Sequence, residues 1–159
     1  MSEPIQDAGK EATLSMTTPT CQEILHVLQN DWATYVERYQ GLSEEARAAF
    51  LRKQGYARFA DLLAHILAWW EIGQQNIQKY LAEPQTQPQN YDVDEFNAQA
   101  ISRVKDQSEA SIIQAFEQKR AALLQWVAQL PEGAFENEKV ANQFNMELIG
   151  HLRDHEITG

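Results

Sequence analysis

Cysteine is almost absent: Cys21 stands alone among 159 residues. An intramolecular disulfide is therefore excluded, as is any paired-cysteine redox or zinc motif. Basic residues are scarce as well, 13 Lys and Arg against 23 Asp and Glu, which leaves a formal net charge of −10. Such a chain repels a phosphate backbone, and no stretch clusters enough Lys or Arg to reverse that, so nucleic-acid binding is disfavoured. No window approaches the ~18 apolar residues of a membrane span. The first twenty residues, MSEPIQDAGKEATLSMTTPT, lack the apolar run of a secretory leader. A cytoplasmic protein with no membrane partner is the expectation. Strict polar–apolar alternation, the signature of a half-buried strand, is also missing.

What is present is apolar material at helical spacing. The chain is 43% hydrophobic, with 4 Trp, 5 Tyr and 6 Phe, enough for one packed core. Residues 1–19 are polar, hold Pro4 and Pro19 and show no period, so they read as a loose arm ahead of a single domain over 20–159. A first helix starts near Thr20 and carries Ile24, Leu25, Leu28, Trp32, Tyr35, Val36 and Tyr39 up to Gly41. Ser43 can cap a short helix that Gly55 closes. The second long helix, 58–83, carries Phe59, Leu62, Leu63, Ile66, Trp69, Trp70, Ile77 and Leu81 before Pro84 stops it. A loop follows. A third helix capped by Asp92 or Asp94 runs through Phe96, Ala100, Val104, Ile112, Phe116, Leu123 and Val127, and a fourth spans about 140–157. The fold class expected is all-α, a four-helix bundle.

Three of the four histidines fall on faces that should look inward. His151 and His155 stand at i and i+4 in HLRDH, on one helix face and able to share one metal ion. Alone, that spacing is weak, because chance produces it in many helices. His65, in DLLAHILAWW, lies on the apolar side of the second helix, where an imidazole needs partners. Together the three make a metal site the better reading than three separately satisfied rings. They can meet only if the second and fourth helices run antiparallel, which requires one long crossover connection. The loops near 84–93 and 131–139 are both long enough.

A His within an AHILAWW segment of the second helix and a closing HxxxH resemble the DinB/YfiT-like superfamily of metal-dependent four-helix-bundle proteins, over about residues 20–157. FADLLAHILAWWE, YDVDEFNAQAI and HLRDH together are similar to its DfsB/ClbS-like branch. The resemblance implies an up-down-down-up bundle with the crossover between the second and third helices, and metal ligation by His65, His151 and His155. It also implies a detoxifying or self-protective role against a small reactive molecule.

Three imidazoles leave coordination positions open, as in catalytic sites, and suit zinc, nickel or iron equally. Hydrolysis and thiol transfer are both compatible with such a centre, with a lean to hydrolysis. The alternative is a non-catalytic helical module that binds a small molecule between its helices. Around the histidines, Trp69 would form a wall, and Phe96 and Asn97 would approach from the third helix. Glu147, one turn before His151, is a candidate proton carrier or orienting group, although the commoner fate of such a residue is an exposed helix carboxylate. Asn97 competes with a local capping role. Asp154 should face solvent, and His26 should be an ordinary surface residue. The aromatic richness of the second helix also makes a homodimer an expectation.

Overall fold

Thr20 opens the first helix with a reciprocal cap: its hydroxyl accepts from the Glu23 N–H, and the Glu23 carboxylate accepts from the Thr20 N–H. In the computed structural model, which describes residues 18–158, this helix, α1 (Cys21–His26), widens into a π turn (Val27–Asp31) and resumes as α2 (Tyr35–Gln40). The expected unbroken helix is interrupted because side chains compete for its carbonyls. Asn30 Nδ2 donates to the His26 carbonyl at 3.0 Å, and Thr34 Oγ1 to that of Asn30 at 3.1 Å. The expected arm lies outside the described residues except for 18 and 19.

Helix α3 (Glu44–Gln54) begins at Ser43, whose hydroxyl accepts from the Ala46 N–H, and ends at Gly55. Gly55 sits at φ 86°, a left-handed geometry in which a side chain would be strained, and so turns the chain sharply into α4. α4 (Phe59–Ala82) is the longest helix and is buried around most of its N-terminal half. A loop over 83–92 leads to α5 (Val93–Arg103), capped by Asp92, and then to α6 (Glu109–Ala128). A short 3-10 turn (Ala134–Glu136) precedes α7 (Glu138–Phe144), a second π turn (Asn145–Gly150) and α8 (His151–Asp154). The described residues are all-α, with no strand.

The third expected helix is in fact two. Ser108 accepts from the Ser111 N–H and so starts a new helix. Arg58 donates across to the break, to Gln107 O at 3.0 Å and to Val104 O at 3.2 Å, which also accepts from the Gln107 N–H. Its other contacts go to the buried Asp61 carboxylate, at 2.7 and 3.1 Å. The last helix is likewise not one regular rod but α7, the π turn and α8 in series.

The core is aromatic. Trp32 lies 4.9 Å from Trp70 edge-on, 5.0 Å from Tyr35 and 6.1 Å from Phe116, while Tyr39 stacks on Phe59 at 3.8 Å. Helices α4 and α6 touch through Trp70 and Phe116 and through Lys119, which bonds Glu71 and Gln74. Helix α4 meets the last segment at Tyr80 with Asn137, at Trp70 with Glu147 and at His65 with His155. Among the described residues no helix is long and apolar enough to cross a membrane.

Candidate metal centre

The π turn places the C-terminal histidines. There the His151 N–H bonds to Met146 O, five residues back, which releases the Glu147 carbonyl from its ordinary i+4 partner. That carbonyl accepts instead from Trp70 Nε1 at 2.9 Å and from His151 Nδ1 at 3.0 Å. Trp32 Nε1 holds the next carbonyl, that of Leu148, at 2.8 Å, and the Tyr35 hydroxyl donates to His155 O at 2.7 Å. Core aromatics thus anchor the strip of backbone from which His151 and His155 project.

His65 reaches the same point from the second turn of α4. Its Nε2 lies 3.2 Å from His155 Nε2, and one nitrogen from each of His65, His151 and His155 falls within 4.8 Å of the others. His65 is buried, and the other two are half-buried. The tautomers follow from partners whose own roles are fixed. An indole N–H can only donate, so the Asn97 atom 2.7 Å from Trp69 Nε1 is the carbonyl Oδ1. The same oxygen lies 3.0 Å from His65 Nδ1, which must therefore carry the proton. Gln54 Nε2 donates to the Asp154 carbonyl at 3.3 Å, leaving Gln54 Oε1 to accept from His155 Nδ1 at 2.7 Å. His151 Nδ1 faces a backbone carbonyl, an obligate acceptor.

All three Nδ1 atoms are thereby donors, which leaves each Nε2 with a free lone pair, and those of His65 and His155 face one another. Two such lone pairs 3.2 Å apart repel unless a proton or a cation lies between them. Protonation is costly here. Burial first, and the neighbouring His151 second, lower His65 to about 4; burial, His65 and His151 lower His155 to about 3. Burial also lowers His151. The donor set fits a divalent transition ion: three neutral imidazoles, each oriented by a hydrogen bond on its far nitrogen.

Glu147 is buried, not exposed as the commoner expectation had it, with 6% of its surface accessible. Gly73 makes this possible: a Cβ there would come within 2.7 Å of Glu147 Cγ. Gln143 Nε2 donates to Glu147 Oε2 at 2.7 Å, and Glu147 Oε1 lies 3.4 Å from His151 Nδ1. Burial raises this carboxyl to about 8 despite the Gln143 bond. Asn97 spends its oxygen on His65 and Trp69, so it orients a ring and does not act as a local cap.

A cavity of about 720 Å³ opens onto the three rings. Trp69, Asn97 and Glu147 line it, while Phe96 stands behind Trp69 at 4.2 Å and is not part of the lining. Asp154 and His26 are exposed as expected. Two contributors escaped the sequence reading. Gln54 fixes His155, and Tyr56 packs its ring 5.6 Å from that of His65. Both surround Gly55, and only the left-handed turn there brings them to the histidines. Comparison with protein-family models, with curated proteins and with solved structures returned no match for this chain.

Proposed function

We propose that this chain is a divalent-metal-dependent enzyme of hydrolase or thiol-transferase type that acts on a small reactive molecule, with His65, His151 and His155 as the metal ligands. The observation that carries the reading is the convergence of one nitrogen from each of the three histidines on a cavity large enough for a small organic molecule. A bound divalent ion would supply Lewis acidity to a carbonyl, water or thiol presented from the cavity. The remaining work falls to the protein. Asn97, Gln54 and the Glu147 carbonyl hold each ring in the ligating tautomer. Trp69 holds Asn97, and Tyr56 packs against the rings of His65 and His155.

The resemblance to DinB/YfiT-like proteins belongs to this reading, and the order of contacts supports the bundle it implies. Along α4 from start to end, the partners on the last segment run His155, Glu147, Asn137 and those on and before α5 run Val104, Asn97, Tyr91, whereas those leading into α6 run Gln107, Lys119. This sense agrees with an up-down-down-up arrangement in which the loop 83–92 and α5 together make the crossover. The test is metal analysis by mass spectrometry on untagged protein purified without chelators. About one transition-metal ion per chain, lost in His65→Ala and His151→Ala, is the expected result. No metal after reconstitution with zinc, nickel or ferrous iron would overturn the reading.

A further inference from the structure

The cavity continues far beyond the histidines. His65, Trp69, Gly73, Asn76 and Tyr80 recur at three- and four-residue steps, so they form one stripe along α4. At 1.5 Å per residue that stripe is about 22 Å long. Gln143, Glu147, His151 and His155 form the facing stripe on the last segment, and the loop carrying Gln89, Asn90 and Tyr91 covers the third side. The far half of this trough has a distinct chemistry. Carboxamides dominate it, and two of them, Asn76 and Gln143, are themselves buried. Asn76 Nδ2 donates to the Tyr91 hydroxyl at 3.1 Å, tying the loop to α4. Lysine is absent from the lining, and its one arginine, Arg153, keeps 67% of its side chain in solvent. At the mouth stand Val93 and Met146, the two large apolar side chains that remain exposed among the described residues.

We infer that the site takes an elongated, uncharged, amide-bearing molecule, whose reacting end meets the histidines and whose amide groups pair with the carboxamides around Asn76 and Gln143. This rests on the metal-centre reading for the reacting end only. A carboxamide both donates and accepts, and so matches another amide, whereas it cannot neutralise a carboxylate or phosphate. Eleven residues, about 16 Å of helix, separate Asn76 from His65, beyond a Debye length in ordinary buffer. At that separation an ion at the histidines could not pair directly with an anionic tail there. A net charge of −10 acts in the same sense. An anionic thiol cofactor fits this trough poorly, which favours the hydrolytic branch of the proposal.

The test uses a matched pair, N-benzyloxycarbonyl-glycyl-leucinamide and the free acid N-benzyloxycarbonyl-glycyl-leucine, with binding followed by tryptophan fluorescence. Full-length protein is compared with and without zinc, at low salt and in 0.5 M sodium chloride. Tighter binding of the amide by tenfold or more, persisting in high salt, is expected. Asn76→Leu should cut that preference to twofold or less. Because Asn76 is buried, the exposed-rim variant Gln89→Lys/Met146→Lys provides a second test and should bring the acid within twofold of the amide. Equal binding of acid and amide, loss of the preference in salt, or an unchanged preference in both variants would overturn the inference. Zinc per chain, measured on the same samples, separates the two readings: amide preference without bound zinc removes the metal centre and leaves the trough.

Discussion

Around Trp32, Trp70 and Phe116 each indole N–H has a backbone carbonyl, and the rings fill the space between four helical segments. Around His65, His151 and His155 the same helices leave one nitrogen of every ring paired and the other bare. Both regions are enclosed, so burial does not separate them. The difference lies in whether the hydrogen-bond inventory closes. Where it closes, the residues hold the fold; where three acceptors converge with no donor, the fold is spending stability on a place for something else.

The widest contrast comes from truncating each region in zinc-free protein. Trp32→Ala should lower the unfolding free energy by about 3–5 kcal/mol, by urea denaturation, because it leaves a cavity and frees the Leu148 carbonyl. His65→Leu, similar in volume and without a bare nitrogen, should change it by less than about 1.5 kcal/mol. Equal losses would mean that the histidines are ordinary core. Zinc should then sharpen the difference. At a free concentration 100 times its Kd it should add about 2.7 kcal/mol to the wild type and to no variant lacking His65 or His151. Thermal melting with and without zinc reads this directly.

Gly73 lies between the two regions. Gly73→Ala should cost about 1–3 kcal/mol, because the new methyl group meets Glu147 Cγ at 2.7 Å. Most of that loss should vanish in the Gly73→Ala/Glu147→Ala pair, and a double-mutant cycle in urea showing no coupling would contradict the contact.

The pH dependence of the zinc-free protein sharpens the comparison further. Unfolded histidines protonate near 6.5, whereas His65 and His155 in the fold wait until about 4 and 3. The unfolded state therefore binds more protons across that window, and stability falls as pH drops below 6.5. Glu147 acts in the opposite sense. Unfolded it ionises near 4.5, folded only near 8, so the stability it contributes is present below 4.5 and is lost as pH rises toward 8. Two histidines outweigh one carboxyl below 6.5, and Tm should peak near that value. Glu147→Gln should flatten the decline between 6.5 and 8, and a Tm profile unchanged by that variant would remove the assignment.

The helices were legible in the sequence wherever a cap and an apolar stripe coincided. Thr20, Ser43, Gly55 and Pro84 mark boundaries that local chemistry decides, and the structure keeps them. Ser108 shows the limit. A serine inside an apolar-periodic stretch looks tolerable, and the Arg58 guanidinium, 46 residues away from Val104, supports the break by donating to two of its carbonyls. The three histidines were legible because their spacing is local to each helix. Gln54 was not, because its value depends on a turn that folds it back across 101 residues of sequence to His155. The burial of Glu147 was hidden for a similar reason: its permission comes from the missing side chain of Gly73.

The π turn over Asn145–Gly150 holds one residue more than an ordinary helical turn would need. Everything beyond it is therefore rotated by about 100° from where an unbroken α7 would have carried it. The aim of His151 and His155 is thus set by a count as well as by residue identity. Substitutions in the turn that spare the buried Glu147 and Leu148 can be absorbed, but removal of a single residue would restore regular pitch, swing both imidazoles off the cavity and leave every helix intact. Along this stretch the chain should tolerate changes of spelling far better than a change of length.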